Sequence, residues 1–443
     1  MKPQTGKRKL KPSGIDWIGD VPEGWGVMRL KYVCSTITDG SHFSPECVDE
    51  GFPYVTATDV RGVGIDFSKT KFISEEAYDL LVSAGCGLKQ NDVLMVKDGA
   101  TTGRVGMMTE DVAAVALSSV AILRTPDDVD RKFLYWGLQG DGFQRNVQQT
   151  MAGSAMPRIT VWKLGQYNIA IPPLDEQKRI AAKLDRLCGR IDELAANLTK
   201  EIAALQDYRK SLITECVTKG LDPKAKMKPS GVDWIGDVPE GWTVMRLKYG
   251  VTKIGSGKTP LGGATVYSDD GILFIRSQNV YDNGLITNDI EYISEEIDEG
   301  LANSRVCQGD VLLNITGGSI GRCCVYSLDK RANVNQHVCI IRVVAGEFLN
   351  SYVKYFINGF NEIIVNDNQQ GGNRESLNFE QIGDLRICVP PFDEQCRIAA
   401  LLDEKCAVID AKIAERKGQL EKLAEYRSSL IYEYVTGKKE IAA

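Results

Sequence analysis

The chain has 443 residues, 43% of them hydrophobic and 25% charged, and a net charge of −6. That length allows two or three domains, the balance is that of a globular protein, and no apolar run of about 18 residues is present to cross a membrane. The basic opening lacks the apolar core of a signal peptide, so the cytoplasm is the expected location. The 12 cysteines contain no Cys-x-x-Cys, and the histidines number only 2, His42 and His337. A zinc finger is therefore excluded, no metal is expected, and the thiols read as reduced small hydrophobes. The acidic balance excludes a uniformly basic nucleic-acid carrier; any DNA affinity must come from local loops or from a partner's charge.

The chain opens with a lead at residues 11–32, KPSGIDWIGDVPEGWGVMRLKY. In the middle that follows, β-rich runs are expected at 52–57, 92–96 and 120–123, with a serine-capped helix near Ser74-Glu75-Glu76. Pro172-Pro173 stop the last strand, and Asp175 reads as the N-cap of a long helix. Its apolar residues recur at steps of three and four: Ile180, Leu184, Leu187, Ile191, Leu194, Leu198, Ile202, Leu205, with Leu212 beyond. Gly220 and Pro223 close it.

The chain then writes itself a second time. Residues 228–249 repeat the lead at 20 of 22 positions. A second middle offers strands at 272–276, 311–315 and 338–343 and a helix near Ser294-Glu295-Glu296. Residues 390–437 match 172–219 at 24 of 48 positions, with Asp393 as N-cap and Gly437 as stop. The middles diverge but keep Asp92-Val93-Leu94 against Asp310-Val311-Leu312, and Gly103-Arg104 against Gly321-Arg322. A period this long is a whole domain with an appendage, so the two units are expected to be pseudo-twofold related. A helix of about 42 residues spans roughly 63 Å, too long for one small core. Its single apolar seam pairs most simply with the other copy, as an antiparallel coiled coil; the alternative is two helices, each lying on its own domain.

Gly255-Ser256-Gly257-Lys258-Thr259 has the end of a phosphate-binding loop, but Thr252 stands where the pattern needs glycine. Val389-Pro390-Pro391-Phe392 has the outline of an adenine-holding methyltransferase tetrapeptide, but valine cannot accept from an amino group. No nucleophile–base pair stands out, so no catalytic residue is assigned.

The duplicated lead, the PP-x-DEQ-x-RIA helix start, Asp39-Gly40-Ser41-His42-Phe43-Ser44-Pro45, Ser256-Gly257-Lys258-Thr259-Pro260, and Gly309-Asp310-Val311-Leu312 leading to Gly321-Arg322 resemble the specificity subunits of Type I restriction–modification systems. The resemblance covers nearly the whole chain. It implies an α/β (α+β) architecture of two target-recognition domains separated by two long antiparallel helices. The expected bounds are 1–174 and 220–392 for the domains, 175–219 and 393–437 for the helices, and 438–443 for a tail. It also implies a non-catalytic subunit in which each domain reads one half of a bipartite site on double-stranded DNA. The helices would set the spacing, at roughly 3.4 Å per base pair. Two modification subunits would dock, hold S-adenosylmethionine and methylate a flipped adenine. Translocase–nuclease subunits would join for cleavage. Other readings are a specificity subunit of another methylation-linked defence system, a coiled-coil scaffold without a DNA role, or an enzyme with a cryptic site in the middles.

Base edges are read by Arg, Lys, Asn and Gln, and phosphates are held by Lys, Arg, Ser and Thr. Polar turns in the first middle nominate Ser41, His42, Thr58, Lys97, Thr101, Thr102, Arg104, Ser154 and Arg158. The second nominates Ser256, Lys258, Thr259, Arg276, Gln278, Asn279, Ser319, Arg322, Gln370, Asn373 and Arg374. Arg104 and Arg322 are shared between copies that should read different sequences, which suits turn geometry or phosphate. The repeated tryptophans Trp17, Trp25, Trp234 and Trp242 suit packing.

Overall fold

The computed structural model describes residues 8–62, 64–151, 157–367 and 376–441. The chain divides into two compact units, one formed by Met1–Asn197 with Gln419–Ala443 and the other by Leu198–Gly418.

In the first unit a four-stranded antiparallel sheet runs in the order Val105–Met107, Val93–Val96, Val120–Arg124, Thr36–Asp39. A smaller sheet sets Val115–Ala116 parallel to Phe52–Val55, which pairs antiparallel with Lys71–Ile73. The strand Val93–Val96 looks uniformly apolar because both its faces are buried, yet the faces differ. Val93 and Met95 join the core beside the long helices, while Leu94 and Val96 join the core between the sheets. Val120 and Ile122 alternate with Ala121 and Leu123 in the same way.

The second unit repeats the plan with different residues. Its main sheet is Cys323–Val325, Val311–Asn314, Val338–Val343, Val251–Ser256 in the same order. Its second sheet again holds one parallel pair, Ala332–Val334 beside Ile272–Ile275. Val311 and Leu313 face the helix core, Leu312 the inter-sheet core. Ser74 and Ser294 cap their short helices, accepting from the backbone N–H of Ala77 and Ile297.

The two long helices are Leu174–Lys219 and Phe392–Val435. Both begin earlier than Asp175 and Asp393 suggested, because Pro173 and Pro391 already accept the first helical hydrogen bonds. The two aspartates therefore sit inside the first turn, where negative charge is favoured. Each helix ends at a glycine beyond its last turn, Gly220 at φ 73° and Gly437 at φ 72°. Within the second unit, Glu201 pairs with Arg416 and Arg209 with Asp410, so partner numbers fall as helix numbers rise: the segments are antiparallel. The first unit supplies the matching pair with roles exchanged, Asp192 with Arg427. Each long helix thus contributes to both units, which resolves the question of a separate helix on each domain.

The repeated motifs are fasteners. Glu176 accepts from the Trp25 indole N–H at 3.0 Å, and Glu394 accepts from Trp242 at 3.0 Å. Gln177 donates to the Pro172 carbonyl and accepts from Asp130 N–H; Gln395 donates to Pro390 and accepts from Leu349 N–H. Asp92 and Asp310 each hold an arginine of the neighbouring strand, Arg124 and Arg342, through both carboxylate oxygens. Trp25 and Trp242 are buried, while Trp17 packs on Phe143 and Trp234 on Phe360.

The two glutamates are not equally protected. Arg8 forms a bidentate pair with Glu176 at 2.7 and 2.8 Å, whereas the matching position in the second copy is Ala225. Trp242→Phe, which keeps the bulk and removes the N–H, should therefore destabilise its unit by about 1–3 kcal/mol, and Trp25→Phe by less. Urea unfolding midpoints of the two variants check the order.

Candidate nucleic-acid interface

The connections at one edge of each main sheet are stitched to one another by backbone hydrogen bonds. In the first unit Lys97 N–H donates to Ser119 O at 2.8 Å, Ser118 N–H to Ser41 O at 2.9 Å, and Ile159 N–H to Lys97 O at 2.8 Å. In the second, Ile315 N–H donates to His337 O at 3.0 Å and Leu377 N–H to Ile315 O at 2.9 Å. Strand register then matches positions between the units: Asp39 with Ser256, His42 with Thr259, Lys97 with Ile315, Asp98 with Thr316, Ser118 with Gln336, Ser119 with His337, and Arg158 with Ser376. Gly40 and Gly257 occupy one position as well. A Cβ there would lie 2.0 Å from the Ala116 carbonyl oxygen in one copy and 1.5 Å from that of Val334 in the other. Close passage of two backbones explains the glycine of the Gly-Lys-Thr sequence, with no phosphate required.

The side chains on this common frame differ in chemistry. In the first unit Lys97 is buried between two carboxylates, 3.3 Å from Asp39 Oδ2 and 2.8 Å from Asp98 Oδ2. Asp39 also meets His42 Nε2 at 3.1 Å, and Asp98 meets Arg158 Nε at 3.0 Å. A buried ammonium is tolerated only when paired, so Lys97 works as the fixed centre of this cluster. His42 and Arg158 remain mostly exposed at its two ends. In the second unit the same frame carries hydroxyl, amide and imidazole groups. Thr259 Oγ1 donates to Gln336 Oε1, Gln336 Nε2 lies 3.1 Å from His337 Nε2, and His337 Nδ1 lies 2.6 Å from Thr316 Oγ1.

The remaining nominated residues take varied positions. Ser41 is buried, its hydroxyl closing a turn with Phe43, and Asn279 is buried, its amide joining Arg276 N–H to the Ile286 and Asp289 carbonyls. With Lys97, these two are buried and their polar atoms are engaged within the protein. Thr58 is exposed and bonded to Thr56 at 2.8 Å. Thr102 bonds to the Gly99 and Pro157 carbonyls, and Thr101 O accepts from Arg104 N–H. Ser319 Oγ accepts from Asn314 at 3.1 Å. Ser256 is half-buried and Lys258 is exposed. Arg276 is largely covered, 3.2 Å from Glu291, and Gln278 donates to Asp289 at 2.6 Å. Arg104 reaches the Val60 carbonyl at 3.4 Å, and Arg322 lies over the Tyr281 ring at 4.6 Å, so the shared arginines brace the same corner. Beside Arg322, burial raises the Asp282 carboxyl above its ordinary value. Ser154, Gln370, Asn373 and Arg374 lie outside the described residues.

Sequence reasoning passed over Asp39, Asp98, Ser118, Thr316, Gln336 and His337. For Ser118, Gln336 and His337 the signal was present as short polar inserts before a strand, Leu117-Ser118-Ser119-Val120 and Asn335-Gln336-His337-Val338, at the same place in both copies.

The model of the Type I restriction modification DNA specificity domain matches residues 22–204 and 239–422, one span in each copy. The chain belongs to this family. Over 433 residues it is 22% identical to the Type I restriction enzyme MjaVIII specificity subunit of Methanocaldococcus jannaschii, covering 94% of this chain and 93% of that one. Over 407 residues it is 21% identical to the EcoKI specificity subunit of Escherichia coli K12, covering 88% and 84%. A solved chain from work on complex assembly and conformational transition of the type I R-M system shares the fold at TM-score 0.67 and 17% identity, covering 95% of this chain and 99% of that one. Between the two matched copies of this chain, the frame is the common part and the edge loops differ in chemistry. Among the described residues no helix is long and apolar enough to cross a membrane.

The second unit's loop edge is held from below by Asp298. This carboxylate is fully buried and takes Arg305 at 2.7 Å, Arg331 at 2.5 Å and the Asn333 amide of strand Ala332–Val334, which runs directly into Asn335 and Gln336. Burial alone would raise its pKa, but the two guanidinium groups prevail and hold it below 3.8. A lowered folded pKa contributes stability above the unfolded value and loses it as pH falls through the folded one. Asp298→Asn should cost about 1–3 kcal/mol at neutral pH. It should also flatten the loss of stability below the ordinary carboxylate pKa of 3.8. Urea unfolding at pH 7 and under acid checks both.

Proposed function

We propose that this chain is the DNA-specificity subunit of a Type I restriction–modification complex, each unit reading one half of a split site on double-stranded DNA. The observation that carries this reading is a common loop frame bearing unlike side chains: an ion-paired cluster of Asp39, Lys97, Asp98 and Arg158 in one unit, and the hydroxyl, amide and imidazole set Thr259, Gln336, His337 and Thr316 in the other. Two copies of one reader with different readout chemistry suit two different half-sites. Arg158, His42 and Lys258, which are exposed, face DNA in this reading, and Arg104 and Arg322 serve both copies alike through phosphate or turn geometry.

Partner docking has the opposite signature. Tyr32 and Tyr249 are each 64% exposed, with Lys31 and Lys248 over their rings, so this outward surface is the same in both copies. Like surfaces suit like partners, here two modification subunits. Those subunits hold S-adenosylmethionine and methylate a flipped adenine; translocase–nuclease subunits join them for cleavage. The specificity subunit itself is non-catalytic, acts in the cytoplasm, and through its long helices sets the spacing between half-sites.

Co-expression with the cognate modification subunit, followed by long-read mapping of N6-methyladenine, should reveal a split motif that vanishes when this chain is omitted. Exchanging residues 255–380 for those of another specificity subunit should change one half of the motif and leave the other. An active modification assembly that methylates no defined motif would leave the chain a scaffold rather than a reader.

A further inference from the structure

We propose that Gln336 is a specificity-determining residue of the second unit and reads an adenine edge. The inference rests on the specificity-subunit reading above and deepens it.

Gln336 is exposed, yet its amide is held on both sides. Oε1 accepts from Thr259 Oγ1, and Nε2 meets His337 Nε2 at 3.1 Å. His337 is itself fixed through Nδ1 by Thr316 at 2.6 Å and through its backbone N–H by Asn335 Oδ1 at 3.1 Å. The hydrogens follow in sequence. If the Gln336 amide donates to His337 Nε2, that nitrogen carries no proton, so Nδ1 carries it and donates to Thr316. Reversing the amide would require every hydrogen in the chain to reverse with it. A long polar side chain at a surface normally loses rotamer entropy when it makes a contact; here that ordering is already in place.

An amide oxygen accepts two hydrogen bonds and an amide nitrogen donates two. Gln336 uses one of each within the protein, which leaves one acceptor and one donor side by side. The major-groove edge of adenine offers the complement, the N7 acceptor and the N6 donor; guanine offers two acceptors and matches arginine instead. The contrast with the first unit is internal to the chain. Its matching position is Ser118, too short to reach, and the exposed group of its cluster is the guanidinium of Arg158, anchored at Nε by Asp98. The backbone under Gln336 is fixed by Asn335 N–H on Ile275 O at 3.0 Å, by the tight crossing at Gly257 and by the Asp298 anchor.

The test uses the full chain assembled with its modification subunit and maps the methylated motif for the wild type, Gln336→Ala and Gln336→Glu. In Gln336→Ala, one position in one half of the motif should lose its requirement for adenine. Methylation of the original site should fall about fivefold to a hundredfold, with the other half unchanged. Gln336→Glu has the same shape but only accepts, so it should move the preference at that position toward cytosine, whose N4 amino group donates. Thr259→Val, which frees one side of the amide, should relax the same position to a smaller degree. An unchanged motif in both Gln336 variants overturns the inference, as does loss of both halves together in both variants. If the wild type directs no split motif, the underlying reading fails with it, so the two failures are distinguishable.

Discussion

A buried amide must have its hydrogen bonds satisfied or it costs stability, and Gln177 and Gln395 are buried at the first turn of each long helix. Each is satisfied by two stretches of chain, the strand end just before the helix and a segment more than 40 residues earlier. Gln177 needs the strand end at Pro172 and the helix start at Asp130; Gln395 needs Pro390, the Glu347 carbonyl and Leu349. One residue earlier, Glu176 and Glu394 fasten the buried tryptophan of the lead. Each long helix, its lead and a helical layer that begins after Asp130 in one unit (Arg131–Gln139) and after Leu349 in the other (Asn350–Asp367) are therefore locked by two adjacent side chains. The main sheet lies against that layer, and the loop edge is only as fixed as the sheet that delivers it.

This explains which residues the two copies share. The shared Asp-Glu-Gln, the lead tryptophan, the aspartate before the central strand with its arginine partner, and the glycine at the backbone crossing all carry geometry. None needs to know the half-site. Unshared residues occur throughout the two middles and include the edge, where Lys97 and Ile315 occupy one backbone position beneath surfaces of different chemistry. Exchanging a buried, doubly paired lysine for an isoleucine requires its carboxylate partners to change with it, and Asp39 and Asp98 are indeed replaced by Ser256 and Thr316. The edge therefore changes as a set rather than one residue at a time.

The fold was largely legible because its signals are local or repeated. Duplication, proline and glycine stops, serine caps and the heptad-like seam all lie along the chain. The candidate site was less so. Lys97 and Asp98 are adjacent, but Asp39 and Arg158 reach them only through the folded sheet, and no spacing announces it. Asn279, nominated from a polar loop, is buried with its amide bonded to the backbone of its own turn, which its sequence neighbours do not announce. Gln336 went unnoticed, and His337 was noted only as one of two histidines, because two polar residues between strands look like any turn until Thr259 and Thr316 are brought to them from distant segments. The helix caps were misplaced by two residues for a simpler reason: the carbonyls of Pro173 and Pro391 accept the first helical bonds, so Asp175 and Asp393 fall inside the first turn.

Charge sets a last constraint on how such a reader works. Affinity for DNA comes mainly from cations that displace counterions from phosphate, and specificity from donor–acceptor patterns at base edges. Here many of the cations near the loop edges are already answered by carboxylates: Lys97 by Asp39 and Asp98, Arg276 by Glu291, Arg331 by Glu295 and Asp298. Internal pairing fixes the loops but takes positive potential away from the surface, in a chain whose net charge is already −6. In the proposed reading, the two contributions are divided. This chain supplies pre-oriented groups that discriminate, and the docked partners supply most of the attraction for the backbone. A reader that holds DNA weakly by itself does not occupy sites when unassembled, so recognition is coupled to the presence of the subunits that act on it.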